Sequence, residues 1–332
     1  MIRNYIKICL RSLLKNKIFS FINIFGLAVS MSICLLIILM LADQSQYDQF
    51  HENKDRIFRI LSDAGKKPTL YASTPKMLAK AIREEYPVIE SSTSLQTGVG
   101  GDASFNQKKM EMRGFFAEES FFDIFNFELK QGNKHIALKE PRSIILSADF
   151  AHNLFGTVDP LGKTISLEDR GLLYLDIGGI DNPPDDWGEF TVTGVMLEGD
   201  VKSHLKFDAL VSDNTLQSLV AEDKFGENIS NWKYYYDTYT YVKIKPENTA
   251  EDLQMALNDL VVNKYSEFKD FDEHFGFVPQ KLSKITPGKF LNNPTSFRFP
   301  IEAYYFLAFL AIVVMISACL NYTNLSVARA IT

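Results

Sequence analysis

The sequence predicts an α+β domain outside the cytoplasm that is flanked by transmembrane α-helices. Two long runs, residues 18–42 and 303–328, contain no charged side chain. The stretch between them mixes strand-like and helix-like patterns, and basic residues gather before the first run. Together these observations predict the order cytoplasmic segment, helix, large exterior domain, helix, cytoplasmic end.

The first apolar run is long enough to cross a membrane. Residues 18–42 would span about 38 Å as a helix, more than the roughly 30 Å hydrocarbon core of a bilayer. Basic residues precede the run and Asp43 and Asp48 follow it, so the positive-inside rule places the N-terminus in the cytoplasm. A cleaved signal sequence is the alternative, but its apolar core spans only about 7–15 residues. We therefore predict an uncleaved transmembrane helix at 18–42.

Residues 1–17 are predicted to form an amphipathic helix at the cytoplasmic membrane surface. Basic side chains recur at every fourth position, with apolar residues along the same segment. This pattern is typical of helices that lie among anionic head groups. The alternative is a basic flank without helical structure, which accounts for the charge but not for its spacing. The predicted membrane-interface residues are Arg3, Lys7, Arg11, Lys15 and Lys17.

A second transmembrane helix is predicted at 301–326, followed by residues 327–332 as the cytoplasmic end of a truncated chain. Asn321 and Asn324 lie in this helix, and amides are costly in lipid unless they face another helix. In the first helix Gly26, Ala28 and Ser30 form a face of small residues, which allows close approach. We expect these five positions to pack against other helices, so that two helices are not the whole membrane assembly.

The exterior domain, residues 43–300, is acidic and contains no cysteine. It holds 29 of the 35 Lys and Arg residues and 40 of the 41 Asp and Glu residues, which gives a net charge of −11. This balance argues against a nucleic acid partner. Cys9, Cys34 and Cys319 all lie in or beside the membrane runs, so no disulfide is expected in the domain.

The first half of this domain is predicted to combine strands with short helices. The alternation of Ile57, Arg59 and Leu61 begins a strand. Thr74 and Pro75 predict the start of a helix that ends before Pro87. Glycines at 98–101 indicate a loop. Strands are predicted around this loop at 92–97, 103–106 and 109–115, with a short aromatic helix or turn at 118–127.

The second half has two capped helices and several strands. Ser147 is predicted to cap a helix that reaches Leu154, and Thr249 to cap a helix at 250–268. Further strands are predicted at 143–146, 164–167, 172–177, 190–196, 207–211, 234–245 and 277–285. Tyrosines cluster at 234–241, and packing in a sheet explains them better than stacking on a ligand.

No motif in the sequence predicts an enzyme, a cofactor site or a metal site. Gly156 and Gly162 are separated by five residues, whereas a phosphate-binding loop has four between its glycines. The five histidines occur singly and are interpreted as surface or locally satisfied groups. The aspartates at 176–186 lack the EF-hand pattern, so a solvated turn is a better interpretation than a calcium site.

Several stretches resemble the MacB and FtsX type of ABC-transporter permease. The opening, LRSLLKNKIFSFINIFGLAVSMSICLLI followed by YDQFHENKDRIFRI, is similar to the start of that family. FTVTGVMLE with SHLKFDALVS, FGTVDPLGKTISL and the closing ISACLNYTNLSVARA resemble its strand and second-helix motifs. The resemblance runs in order along essentially the whole chain.

The resemblance implies a MacB-like periplasmic core domain with two subdomains, held by a chain that crosses the bacterial inner membrane more than once. It implies a non-catalytic permease subunit that relays the motion of a separate cytoplasmic ABC ATPase, for export or efflux of peptides, antibiotics or lipoproteins. A homodimer or permease pair, membrane lipids and a periplasmic adaptor are further implied partners. The alternative is a membrane-anchored extracytoplasmic sensor or receptor domain of a signalling protein, which has the same order of segments.

Overall fold

The computed structural model describes residues 17–64, 70–172, 183–199, 201–266, 274–295 and 300–331, together with positions 11 and 268. Contacts divide the chain into two units. One unit contains the two long apolar helices, and the other is an α+β domain within residues 47–286 and 290–298. The mixed α and β content predicted for the exterior domain is confirmed.

The described helices are α1 (Lys17–Gln44), α2 (Leu78–Glu85), α3 (Phe121–Ile124), α4 (Ala148–Phe155), α5 (Thr215–Ala221), α6 (Ala250–Tyr265) and α7 (Ile301–Ile331). The described strands are β1 (Ile57–Asp63), β2 (Leu70–Tyr71), β3 (Ile89–Phe105), β4 (Lys108–Ala117), β5 (Leu129–Gly132), β6 (Ser143–Leu146), β7 (Thr164–Asp169), β8 (Asp185–Met196), β9 (Ala209–Ser212), β10 (Thr238–Ile244) and β11 (Gly276–Lys281). Short 3-10 helices lie at Glu227–Ser230 and Leu282–Lys284.

In the helical unit, α1 and α7 pack against each other. The Cys34 thiol donates to the Ala311 carbonyl, with 3.7 Å between sulfur and oxygen, and Ser30 on α1 and Tyr304 on α7 are buried. Among the described residues, Ser20–Gln44 is the segment long and apolar enough to cross a membrane. The apolar part of α7, Ile301–Ser317, is shorter.

The strands of the α+β domain form one sheet with two differently built ends. The strand order is β11-β1-β10-β3-β4-β9-β6-β8-β5, and β2 pairs with β1. Because β7 pairs with both β3 and β8, the strands β3, β4, β9, β6, β8 and β7 close a ring within the described part of the chain. We call this the strand ring, and we call β11-β1-β10-β3 the open sheet.

Strand β3 belongs to both ends. Residues up to Gln96 pair with β10, and residues from Leu95 onward pair with β4, whose register with β3 shifts between Gln96 and Val99. Gly98 adopts a φ of 113° at this shift, a conformation that favours glycine. The loop predicted at 98–101 is therefore wrong. At Gly100 a Cβ atom would overlap the carbonyl oxygen of Leu172, so this glycine permits close backbone approach rather than a turn.

Three apolar cores hold the sheet together. One lies where α2 and α6 cover the open sheet, and a second lies in the strand ring. The third packs on the other face of the open sheet and includes Phe121, Phe125 and Tyr241. Both faces of β1 are buried as a result, with Phe58 facing one core and Ile57 the other. Each fully buried large apolar side chain contributes about 1.5–3 kcal/mol.

Two of the three predicted helix caps are confirmed. Ser147 accepts a hydrogen bond from the Phe150 N–H at 3.2 Å, and Thr249 forms a reciprocal capping box with Asp252. The cap predicted at Thr74 is wrong, because this residue is buried and its N–H donates to the Thr238 carbonyl at 2.7 Å. Because Thr74 pairs with Thr238 of β10, α2 begins only at Leu78.

Candidate functional site in the segment after the first helix

The segment that follows α1 in the chain is held to the domain through Asp48. We call residues 47–56 the post-helix segment. Asp48 is 2% exposed, and its φ of 58° is uncommon for a residue other than glycine. Its N–H donates to the Lys202 carbonyl at 2.8 Å. Its carboxylate accepts from the Ser203 hydroxyl at 2.9 Å and from the His204 N–H at 3.1 Å. The loop between β8 and β9 thus binds both the backbone and the side chain of Asp48.

His204 connects Asp48 to the middle of the open sheet. Its Nδ1 lies 2.9 Å from Asp48 Oδ2, and its Nε2 lies 2.7 Å from the Tyr241 hydroxyl on β10. Because a carboxylate only accepts hydrogen bonds, Nδ1 carries the hydrogen and donates it. All three side chains are buried. We call Asp48, His204 and Tyr241 the buried polar chain, since it runs without interruption from the post-helix segment into the sheet.

A buried guanidinium lies beside this chain. Arg59 on β1 is directly opposite Tyr241 on one side and Gln280 on the other. Its Nε and Nη2 donate to Gln280 Oε1 at 3.2 and 2.7 Å. Burial lowers the pKa of Arg59, and its interactions with Tyr241 and Tyr239 oppose that shift. Charge is thus kept inside the open sheet at a cost in desolvation, which only well-arranged polar partners offset.

His51 adds a second connection within the post-helix segment. Its Nδ1 accepts from the Asn126 N–H at 3.0 Å, and the Glu52 N–H donates to Asn126 Oδ1 at 3.1 Å. An accepting Nδ1 carries no hydrogen, so the proton of the neutral ring is on Nε2. That atom lies 3.9 Å from Asp48 Oδ1 and has no hydrogen-bond partner among the described residues. Burial lowers the pKa of His51 to about 4 although Asp48 acts to raise it.

The buried polar chain stabilises the charged form of Asp48. Burial by itself would raise the pKa of this carboxyl group. The charge of His204 and the hydrogen bonds from His204 and Ser203 outweigh burial, and the pKa lies below its usual value. An ionised carboxylate is therefore maintained in an apolar core, and it depends on the β8–β9 loop for its partners.

This arrangement connects segments and is poorly suited to catalysis. Ser203 Oγ donates to Asp48, whereas a nucleophilic serine must contact a ring nitrogen of the histidine. Both ring nitrogens of His204 are instead used by Asp48 and Tyr241. Since all four side chains are buried, no substrate in solution reaches them. What the geometry can do is transmit displacement between the post-helix segment and β10.

A cleft opens beside the post-helix segment in the same domain. Its volume is about 1560 Å³. Its lining combines phenylalanines, carboxylates and a few basic residues, among them Phe50, Phe122, Phe127, Phe207, Glu52, Glu128, Asp149, Glu198, Asp208, Arg113, Lys134 and Lys206. Phe50 stacks close to His51, with 3.8 Å between the ring centroids, so the cleft shares a wall with the residues that hold the post-helix segment.

The site residues predicted from the sequence lie elsewhere. Ser30 is buried and donates to the Gly26 carbonyl at 2.7 Å. A Cβ atom on Gly26 would meet no atom within 4 Å, and Ala28 is exposed. These positions stay predictions for packing against another helix. So do Asn321 and Asn324, whose side chains lie outside the described part.

The predicted interfacial helix lies mostly outside the described residues. Position 11 is helical and Lys17 begins α1. Arg3, Lys7 and Lys15 are not described. Residues 173–177 of the strand predicted at 172–177 are not described either. The larger part of the aspartate-rich turn predicted at 176–186 also lies outside the described residues.

Sequence reasoning missed the buried polar chain. The histidines were interpreted one by one as surface or locally satisfied groups, but His51 and His204 are both buried and both lie near Asp48. His204 is separated from Asp48 by 156 positions in the chain. The available signal was weak, since Asp48 and His51 lie three residues apart in an otherwise polar segment.

An α+β domain that follows a membrane-length helix, with its polar side chains used for internal connection, defines a membrane-anchored protein with an extracytoplasmic domain. The family model of the MacB-like periplasmic core domain matches residues 20–260, and the chain belongs to this family. The resemblance expected from the sequence is thereby confirmed. The domain is a component of ABC-type transporter permeases rather than their ATPase.

Several solved structures are similar to the chain. A domain of a permease protein from Porphyromonas gingivalis is 20% identical, with a TM-score of 0.51 over 70% of this chain and 92% of that one. The periplasmic region of MacB from Actinobacillus actinomycetemcomitans is 16% identical, with a TM-score of 0.44 over 69% and 90% of the two chains. The extracellular domain of the noncanonic ABC-type transporter YknZ from Gram-positive bacteria is 14% identical, with a TM-score of 0.45 over 68% and 99%. No curated protein matches the sequence.

Proposed function

We propose that the chain is the permease subunit of an ABC transporter and relays the motion of a separate cytoplasmic ATPase to its extracytoplasmic domain. The observation that carries this proposal is the buried polar chain, in which Asp48, directly after α1, is joined through His204 to Tyr241 in the sheet. Relay needs a stiff connection with a small number of defined arrangements rather than a reactive site.

The relay depends on geometry that a flexible linker does not have. Asp48 is bound by the β8–β9 loop, and His51 is bound by Asn126. Further along the post-helix segment, Arg56 donates to the Ile244 carbonyl at 2.8 Å and pairs with Glu90. A displacement of this segment is therefore passed to β10 by several bonds at once.

The finer features of the proposal follow from the family. The chain crosses the bacterial inner membrane more than once, pairs as a homodimer or permease pair, and serves export or efflux of a peptide, antibiotic or lipoprotein. The basic residues before α1 contact anionic lipid head groups. Gly26, Ala28, Ser30, Asn321 and Asn324 pack against further helices.

The proposal is tested by measuring ATP hydrolysis. The full-length gene product is purified from native membranes with the ABC ATPase that accompanies it, reconstituted in nanodiscs, and compared with the ATPase alone. We expect the permease to raise the hydrolysis rate. Tyr241→Phe removes the hydroxyl that meets His204 while keeping the ring, and is expected to lower the stimulation severalfold.

The matched control is Tyr86→Phe, which removes a hydroxyl that bonds Asp259 at the domain surface. It should leave the stimulation unchanged. If no ABC ATPase accompanies the permease, or if its rate is unaffected, the transporter role is wrong. If both tyrosine variants stimulate equally, the role of the buried polar chain in relay is wrong.

A further inference from the structure

The cleft beside the post-helix segment has an aromatic floor. Phe122, Phe127 and Phe207 are half-buried, and Phe127 packs against Phe207 with 5.8 Å between ring centroids. Phe50 continues the floor, 5.3 Å from Phe127. Leu197 is exposed at the edge. Contiguous apolar surface that stays accessible in a folded domain marks an interaction site more often than chance exposure does.

The charges around this floor are mainly negative. Carboxylates outnumber basic groups in the lining, five to three. Arg113, one of the three, already pairs with Glu111 at 2.8 Å, and Asp208 accepts from the Arg113 N–H at 2.9 Å. The four remaining carboxylates are exposed at the rim, on Glu52, Glu128, Asp149 and Glu198. Lys134 and Lys206 offset only part of their charge, which leaves the rim complementary to a cation.

The size of the cleft favours an extended ligand. Its volume of about 1560 Å³ exceeds the roughly 300–1000 Å³ of sites for drug-sized molecules. A peptide of a few residues places several side chains on separate phenylalanines, and a basic side chain gains both from carboxylates and from ring faces. A neutral or acidic peptide lacks the second part of this interaction.

We propose that this cleft binds a short peptide with apolar side chains and a net positive charge. Peptide binding by this cleft does not depend on the proposed relay from the ATPase. Its consequence for transport rests on the proposed function, because Phe50 and Glu52 in the lining belong to the post-helix segment. An occupant touches Phe50 between Asp48 and His51, so it changes the packing of the segment that the buried polar chain holds.

Binding is measured without ATP or ATPase, so that its failure is distinguishable from failure of the relay. The full chain in phosphatidylcholine nanodiscs is titrated against a fluorescent hexapeptide of alternating arginine and phenylalanine, with empty nanodiscs as background. We expect saturable binding that weakens as salt is raised, since screening reduces the attraction. The corresponding peptide of alternating glutamate and phenylalanine should not bind.

Paired variants assign the binding to the cleft. The double variant Glu52→Gln with Glu198→Gln removes two rim charges. It should lower the affinity for the arginine peptide about fivefold or more at low salt. Glu84→Gln with Glu119→Gln changes two exposed carboxylates outside the cleft and should change affinity less than about twofold. Leu197→Ser should weaken binding, whereas Met255→Ser, on the exposed side of α6, should not.

Two results would overturn the proposal. One is the absence of saturable binding above the empty-nanodisc background. The other is equal affinity for the arginine peptide in the wild-type chain, the cleft variants and their surface controls, which would place the interaction outside the cleft. Tryptophan fluorescence of each variant shows whether the domain is folded, because Trp187 and Trp232 both lie in it.

Discussion

The open sheet buries charged groups beside β10, whereas a cluster of ion pairs on the strand ring is partly exposed to solvent. Asp48 and Arg59 are almost fully buried beside β10. In the ring, Lys109 lies 3.3 Å from Asp102 and 2.5 Å from Glu168, and its side chain is about half exposed. A buried charge that loses its partner costs about 3–5 kcal/mol, while exposed pairs contribute about 0–1 kcal/mol. The difference indicates that the open sheet is where the domain depends on a particular polar arrangement.

The comparison also separates charges that can be replaced singly from charges that depend on one another. Exposed charges on the ring, such as Lys109, are replaceable because water takes over from a lost partner. Those in the open sheet are connected in series from the post-helix segment to Tyr241, so removing one member takes a hydrogen-bond partner from its neighbour. Such coupling is costly for stability alone and is useful where position must be transmitted.

The largest expected effect comes from Asp48→Ala, which removes the acceptor of the hydrogen bond from His204 Nδ1. We expect a loss of about 3–5 kcal/mol in the free energy of unfolding. Urea titration of the full chain in nanodiscs, followed by tryptophan fluorescence, measures this, since neither α1 nor α7 contains a tryptophan. The matched control Glu168→Ala in the ring, whose side chain is 39% exposed, should lose less than about 1 kcal/mol in the free energy of unfolding. Equal losses would remove the distinction between the two regions.

The second effect is on pH dependence, and the two regions act in opposite directions. His51 has a pKa near 6.5 when unfolded and about 4 in the domain, so the unfolded chain binds more protons between these values. Stability is then lost as pH falls from 6.5 to 4, by on the order of 3 kcal/mol. In the ring, burial raises the pKa of Asp169 to about 6, so stability there is lost as pH rises from 3.8 to 6.

Single substitutions separate these contributions. His51→Asn keeps an acceptor for the Asn126 N–H and should flatten the loss of stability on acidification. Asp169→Asn removes the opposing contribution and should make the loss of stability on acidification steeper. Urea midpoints measured from pH 4 to pH 8 give both slopes. A wild-type slope that His51→Asn leaves unchanged would show that the acid sensitivity lies elsewhere in the domain.

The smallest effect is expected on the ring surface. Lys109→Gln removes the bonds to Asp102 and Glu168 and should lower the free energy of unfolding only slightly at low salt. Raising the salt concentration should erase even this difference, because exposed pairs are screened. Urea titrations at two ionic strengths measure it. A large, salt-independent loss would mean that the ring surface resembles the open sheet after all.

Local sequence signals predicted local structure well. The uncharged runs gave the two long helices, and the hydroxyls of Ser147 and Thr249 gave the starts of α4 and α6. These signals succeed because cap and helix are decided within a few residues. Thr74 failed for the opposite reason, since its hydroxyl lies 2.7 Å from that of Thr240 on a distant strand.

Long-range arrangement was not predictable in the same way. The alternation Ile57, Arg59, Leu61 predicted a strand, but it could not show that Arg59 is buried opposite Tyr241. Nor could glycines at 98–101 show that two other segments approach β3 there. The candidate site consists of residues up to 156 positions apart, each ordinary by itself, so only the fold reveals it.

The left-handed backbone at Asp48 is an uncommon conformation that the contacts of this residue maintain. For a residue with a side chain, that conformation costs about 1–2 kcal/mol relative to the common regions. The cost is offset by the bonds from Ser203 and His204 to the carboxylate and by the bond from the Asp48 N–H to the Lys202 carbonyl. Once those bonds are lost, the backbone is free to return to an extended conformation, which redirects the chain on either side of it. The same contacts therefore fix the backbone conformation of the post-helix segment within the domain.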